Sequence, residues 1–187
     1  SVLKFQPGNY FVAHNSEFDR AVLSQNLSLR IDREDQLFLD NQKNWICTWR
    51  LAKVVYSVVH QLNQHSLAYL RYRLELNVPD ELPNHRADTD VMCCGELFLQ
   101  LVQDAISAGL ISTDLSGDEF LKKLHDLCWG PITLAYFPFG KHKGVKFSEV
   151  PQDYLEWAVL NLDSLKEGNE RYDPDLAHTI VQELSRR

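Results

Sequence analysis

No stretch of this chain approaches the roughly 18–20 consecutive apolar residues that a helix needs to cross a bilayer, so no membrane partner is expected. Internal repeats and low-complexity tracts are also missing, which excludes collagen-like, coiled-coil and disordered classes. The opening Ser-Val-Leu-Lys-Phe-Gln has no basic stretch followed by an apolar core and cleavage site, so no signal peptide is expected. Cysteine is scarce. Cys47, Cys93, Cys94 and Cys128 contain no C-x-x-C pair, which argues against a zinc site. The expectation is reduced, partly buried thiols in a cytoplasmic protein. Positive charge is in deficit, with 19 Lys and Arg against 26 Asp and Glu and a net charge of −7. Such a chain does not coat nucleic acid by charge alone, although a local site of carboxylates and cations can sit on an acidic protein.

What is present is globular. With 187 residues and 44% apolar side chains, the chain can bury one ordinary core and carry a small appendage. Residues 10–14, Tyr-Phe-Val-Ala-His, are strand formers. Ser16-x-x-Asp19 resembles a capping box opening a helix through Phe18, Val22 and Leu23. The polar run 27–44 reads as a surface insertion. Trp45-Ile46-Cys47 is a short strand candidate. Thr48 can cap a helix through Leu51, Val54, Val55, Val58 and Val59, and Ser66 another through Leu67, Leu70 and Leu74. A proline-bearing loop spans Asn77 to Arg86, and a long helix follows from about Arg86 to Ala108. Ser116-x-x-Glu119 is a second capping box, and Gly130-Pro131 breaks the helix it opens. From Ile132 a strand pattern leads into Phe139-Gly140-Lys141-His142-Lys143-Gly144. Asp173 caps a last helix with Pro174 in its first turn. This gives a larger part over 1–110, a helical connector over 111–130 and a small C-terminal module over 131–187.

The long helix carries the sharpest chemical clue. Counted from Asp90, residues Cys94, Leu97, Phe98 and Leu101 lie at +4, +7, +8 and +11, on one apolar face. An acid aimed at a core needs a cation, a hydrogen-bond network or a proton. The alternative is an ordinary acid near a helix start, where the dipole favours it. His85, five residues earlier, is expected just outside the helix start, over the same cleft. On its own it could equally be a solvated loop histidine. Asp19 borders a second apolar stripe, or serves only as the capping partner of Ser16.

Ala13-His14-Asn15-Ser16-Glu17-Phe18-Asp19 resembles the second motif of DEDDh 3′–5′ exonucleases, and His85-Arg86-Ala87-Asp88-Thr89-Asp90 resembles the third, His-x4-Asp. Trp45-Ile46-Cys47-Thr48, then Leu51-Ala52-Lys53, and the Ser66-Leu67 helix fit between them. The segment Phe139 to Gly144, followed by Tyr154-Leu155-Glu156-Trp157, resembles the tail of the exodeoxyribonuclease X group. The resemblance spans nearly the whole chain. It implies an α/β, ribonuclease H-like exonuclease fold with a small α+β C-terminal module. It implies a 3′–5′ exodeoxyribonuclease of DNA repair type, using two divalent cations, Mg²⁺ or Mn²⁺, held by four carboxylates. Asp19 and Asp90 take the place of metal ligands and His85 that of general base. His14, Asn15, Lys141 and Lys143 are expected to contact the nucleic acid, DNA with single-stranded 3′ ends. A homodimer is left open. Hard cations call for oxygen ligands, and two ions about 3.5–4 Å apart can stabilise both attacking and leaving oxygens.

The family's first motif, Asp-x-Glu, has no counterpart among the twelve residues before Ala13. The expected fold therefore lacks its first strands, and the bare chain is expected to be inactive or nearly so. Leu27, Leu29 and Ile31 lead to Asp32-x-Glu34, which mimics that motif but follows the second one. The rival reading is a non-catalytic protein that keeps the exonuclease-like scaffold for nucleic-acid binding or interaction. In the C-terminal module, Lys141, His142, Lys143 and Lys146 form a basic patch that suits either a phosphate contact or a solvated turn. Phe137, Phe139 and Trp157 are expected to form that module's small core.

Overall fold

The structure, a computed structural model, describes residues 9–27, 31–59, 62 and 64–187. It divides into two compact units between Trp129 and Gly130.

The first unit opens with a βαβ crossover. Strand β1 (Phe11–Ala13) leads through helices α1 (Ser16–Leu27) and α2 (Arg33–Asp40) to strand β2 (Trp45–Cys47). The strands pair in parallel, with Phe11 opposite Trp45, Val12 opposite Ile46 and Ala13 opposite Cys47. A parallel pair needs a crossover of this kind, and two three-residue strands hold little alone. All three β2 residues are buried, the pattern of a parallel strand covered on both faces. Helices α3 (Thr48–Val59), α4 (Leu67–Arg73), α5 (Ala87–Ser107) and α6 (Gly117–Trp129) complete the unit. Helix α3 packs on α5 and α6, and α4 on α5. Leu51, Val55, Leu70, Leu97, Leu101 and Leu124 interdigitate at their centre. None of the described helices is long and apolar enough to cross a membrane.

Two local expectations change. The run 27–44 is not a mere surface insertion, because α2 fully buries Leu39, whose carbonyl accepts the Trp45 indole N–H at 2.8 Å. Asp32 caps α2, accepting from the Asp35 N–H at 2.9 Å, and Glu34 lies in that helix's first turn. The apparent Asp-x-Glu is thus a helix start; Leu29 lies outside the described residues, as do Ser1 to Gly8. The segment expected to be a connector contributes α6 to the first core. Cys128 Sγ accepts from the Cys47 N–H at 3.1 Å, and the Trp129 indole donates to the Trp45 carbonyl at 2.8 Å. The Ser116–Glu119 capping box forms as expected, with Glu119 Oε2 2.7 Å from Ser116 Oγ.

The second unit packs α7 (Gln152–Asn161) against α8 (Pro174–Ser185) around Phe137, Phe147, Leu155, Leu176 and Ile180. Asp173 caps α8, accepting from the N–H groups of Asp175 and Leu176. The strand pattern from Ile132 does not become a strand. Its N–H groups are taken by α8 side chains: Ile132 donates to Asp175 Oδ1 at 2.9 Å and Leu134 to Thr179 Oγ1 at 2.8 Å. A single antiparallel bridge, Tyr136 with Lys146, remains. Phe137 is core, but Phe139 and Trp157 are 37% and 47% exposed.

Candidate active site

The site grows from the C-terminal end of β1, where the chain turns through His14 and Asn15 into α1. His14 is held at both ring nitrogens. Nε2 lies 2.9 Å from the His65 carbonyl and Nδ1 lies 3.0 Å from Thr48 Oγ1. A carbonyl only accepts, so Nε2 carries the hydrogen. Burial pushes the imidazole down to about 4, so at neutral pH it is uncharged and Nδ1 accepts from the Thr48 hydroxyl. Cys94 Sγ sits 3.7 Å from the same hydroxyl, and burial pushes its thiol up. Thr48, expected to cap α3, is the helix's first residue; its one hydroxyl proton goes to His14, and its oxygen lies 3.3 Å from the Ala13 carbonyl. His14, expected to contact nucleic acid, therefore has no free ring nitrogen. Its work is to pin the end of β1 to the start of α3. Sequence reasoning missed His65 altogether, because a backbone acceptor leaves no side-chain signature.

The two acids flank this network. Asp19 lies in the first turn of α1. The capping box with Ser16 does not form. The helix begins at Ser16 itself, which is buried, and the first turn closes through the Phe18 N–H donating to the Asn15 carbonyl at 3.0 Å. Among the described residues no cation pairs with Asp19, and burial raises its carboxyl against the lowering effect of a hydrogen bond from its own backbone N–H. Asp19 also acts on Cys94, whose thiol its charge pushes further up. On α5 the fully buried stripe is Thr89, Cys93, Leu97, Leu101 and Ala105. Asp90 and Cys94 lie one position round from it, half-buried at its edge rather than inside the core. There Asp90 exerts an upward pull on the His14 pKa, which burial outweighs. Asp19 and Asp90 thus act on neighbouring members of one bonded chain, Cys94–Thr48–His14.

His85 is exposed and sits just outside α5, whose N-cap is Arg86. Its backbone is left-handed, with φ 64°, as is that of Asn15, with φ 68°. The loop that delivers His85 is tied down from below. Arg71 on α4, 2% exposed, donates to the Pro79 carbonyl at 2.6 Å, the Leu82 carbonyl at 2.8 Å and Asn84 Oδ1 at 2.9 Å. Nothing in the spacing of Arg71 hints at this, since its partners are again mostly backbone. Lys141 and Lys143 belong to the second unit and are exposed there.

In kind, the oxygen donors Asp19 and Asp90 suit a hard divalent cation, and such an ion would relieve the cost of holding Asp19 half out of water. In number they are two. Among the described residues no group of three or more His, Cys, Asp or Glu side chains could hold a metal ion.

The chain matches no family model, and no solved structure matches it. It is similar to the protein called exodeoxyribonuclease 10 of Escherichia coli strain K12 and to its counterpart in an O6:H1 strain of the same species. Each is 26% identical over 159 residues, an alignment covering 83% of this chain and 59% of the relative. The chain thus spans somewhat under two thirds of the length of the curated relatives it matches.

Proposed function

We propose that this chain belongs to a 3′–5′ exodeoxyribonuclease that hydrolyses terminal DNA phosphodiester bonds with divalent cations. The observation that carries this reading is the pair of acids, Asp19 on α1 and Asp90 on α5, both acting on the network around His14. The likeness to exodeoxyribonuclease 10 supports the choice of DNA. Asp19 and Asp90 would hold Mg²⁺ or Mn²⁺, which supplies positive charge to polarise the phosphate and stabilise charge developing on its oxygens. The remaining work falls to the chain itself. His85, exposed at the start of α5, takes the proton of the attacking water, a task for which imidazole is suited. Arg71 holds the loop that aims it. Asn15, exposed beside α1, and Lys141 and Lys143 contact the strand, while His14 keeps β1 and α3 in register beneath the acids.

The test is titration of Mn²⁺ into the chain, followed by paramagnetic resonance, beside hydrolysis of a 5′-labelled single strand by the chain with and without an upstream extension carrying Asp-x-Glu; the extended chain should give a ladder shortening from the 3′ end, and the bare chain little or none. Asp90→Asn should abolish specific Mn²⁺ binding and leave the circular dichroism spectrum unchanged. Retained binding in that variant, or a ladder shortening from the 5′ end, would refute the assignment. A second reading, a non-catalytic scaffold that binds nucleic acid, is favoured by the count of two carboxylates. It predicts DNA binding with neither Mn²⁺ binding nor hydrolysis.

A further inference from the structure

The second unit carries aromatic rings, beside its lysines, to which the hydrolytic reading gives no part. Between Pro131 and Ser148 there are three lysines, Lys141, Lys143 and Lys146, and no acid, in a chain whose net charge is −7. This segment folds back on itself. The Phe137 N–H donates to the Val145 carbonyl and the Gly144 N–H to the Phe137 carbonyl, both at 2.8 Å. Gly140 and Gly144 turn the chain with φ of 65° and 80°, a conformation side chains disfavour. A Cβ at Gly140 would lie 3.8 Å from the Tyr154 hydroxyl, so the turn sits directly against that ring.

Tyr154 is thereby built into a stack. Phe137 packs edge-on beneath it at 5.6 Å, and the His142 ring lies 4.4 Å away. Lys141 Nζ stands 4.8 Å from its centroid, in cation–π range. One helical turn along α7, Trp157 lies 5.4 Å from Tyr154 with the two rings tilted by 32°. Almost half of Trp157 faces solvent. Asp153 and Glu156 each precede one of these rings by one position, about 100° round the helix, and Glu156 accepts from Gln152 at 2.8 Å. An exposed indole beside lysines, with a buried aromatic foundation, is the chemistry that stacks an unpaired base while ammonium groups follow its phosphates.

We propose that the Tyr154–Trp157 surface, with Lys141 and the neighbouring lysines, is a stacking platform for a base of single-stranded DNA, a contact of the second unit separate from hydrolysis. The inference rests on the nucleic-acid reading above but not on catalysis. It is tested on the whole chain in EDTA, where hydrolysis is silent. Oligo(dT) of twelve nucleotides should bind in low salt and quench tryptophan fluorescence. An abasic strand with the same phosphates should bind more weakly and leave the fluorescence unchanged. Trp157→Phe should lose the quench yet keep most of the affinity. Trp157→Ala should weaken oligo(dT) roughly tenfold at unchanged melting temperature, as loss of one stacked base does. Lys141→Gln should lower the salt slope by about one ion. Equal affinity for oligo(dT) and the abasic strand would overturn the platform, as would no binding at all in low salt. Tighter binding of oligo(U) would overturn the assignment to DNA. If Trp157→Ala fails to fold, the wild-type comparison of the two strands decides alone. Quenching without any specific Mn²⁺ binding would remove the nuclease reading and keep the platform; specific Mn²⁺ binding without quenching would do the reverse.

Discussion

Replacing His14 by Gln should reduce the acid sensitivity of the first unit. In the folded chain burial holds the imidazole at about 4, against an ordinary 6.5 in the unfolded chain. Above pH 6.5 both states carry a neutral ring and the difference has no effect. As pH falls below 6.5 the unfolded chain takes up a proton that the folded chain refuses, so folding loses stability. The loss levels off below pH 4, where both states are charged. A gap of about 2.5 pH units corresponds to about 3.4 kcal/mol in full, of which about 2 kcal/mol is gone by pH 5. That is a large share of a domain's stability. Gln can still donate to the His65 carbonyl but cannot be protonated, so the variant should start weaker at pH 7.5 and cross the wild type on acidification. Burial lowers His65 and His125 as well; both remain in the variant, and only the electrostatic coupling of His65 to His14 is lost with the substitution. Urea unfolding at half-unit steps from pH 7.5 to 4.5 measures it, with NMR of the His14 ring as a direct check. Parallel stability curves for the two proteins, or a ring that titrates near 6.5, would refute the reasoning.

Two further substitutions separate the loop from the acids. Arg71→Met keeps the bulk of the side chain but strands the partly buried Pro79 and Leu82 carbonyls and the Asn84 amide oxygen. It should cost about 3–5 kcal/mol, and amide exchange should rise across Pro79–Asn84 before anywhere else; unchanged exchange there would mean the loop holds itself. Asp19→Asn, measured in chelator, should stabilise the chain at pH 7, because burial raises the carboxyl above its unfolded value and disfavours its charge. A raised carboxyl contributes fully below its unfolded pKa and loses that contribution as pH rises through its folded pKa, so the gain from Asn should vanish toward pH 3. Added Mn²⁺ should raise the melting temperature of the wild type and not of this variant.

Much of the chain was legible because its cores are periodic and its caps are local. The α5 face, the β2 strand and the Ser66, Ser116 and Asp173 caps each involve residues within a few positions of one another. The failures share a cause. Asp175 and Thr179 reach back more than forty residues to satisfy the N–H groups of Ile132 and Leu134, so a segment patterned as a strand has no need of a sheet. Thr48 has cap chemistry but meets His14, thirty-four positions away. Arg71 is a buried cation whose partners are mainly carbonyls, and carbonyls are invisible in a sequence. Composition placed Trp157 in a core, whereas only the fold shows that Phe137 fills that core and leaves the indole outside.

The same comparison bears on where the chemistry lies. Asp19 and Asp90 are each the fourth residue of a helix, and each helix is entered from a left-handed residue that is not glycine: Asn15 before α1 and His85 one residue before the α5 cap. Asn and His tolerate that conformation better than most, but a β-turn glycine would reach it without strain. At α1 a ready capping box goes unused as well, and burial works against the charge of Asp19. Glu75, just past the α4 cap, is left-handed too, but only Asn15 and His85 lead into a first turn that carries one of the two acids. Structural needs alone would favour the opposite choices, a satisfied cap and a relaxed turn. The cost is therefore better accounted for by what the two first turns present than by what they hold together.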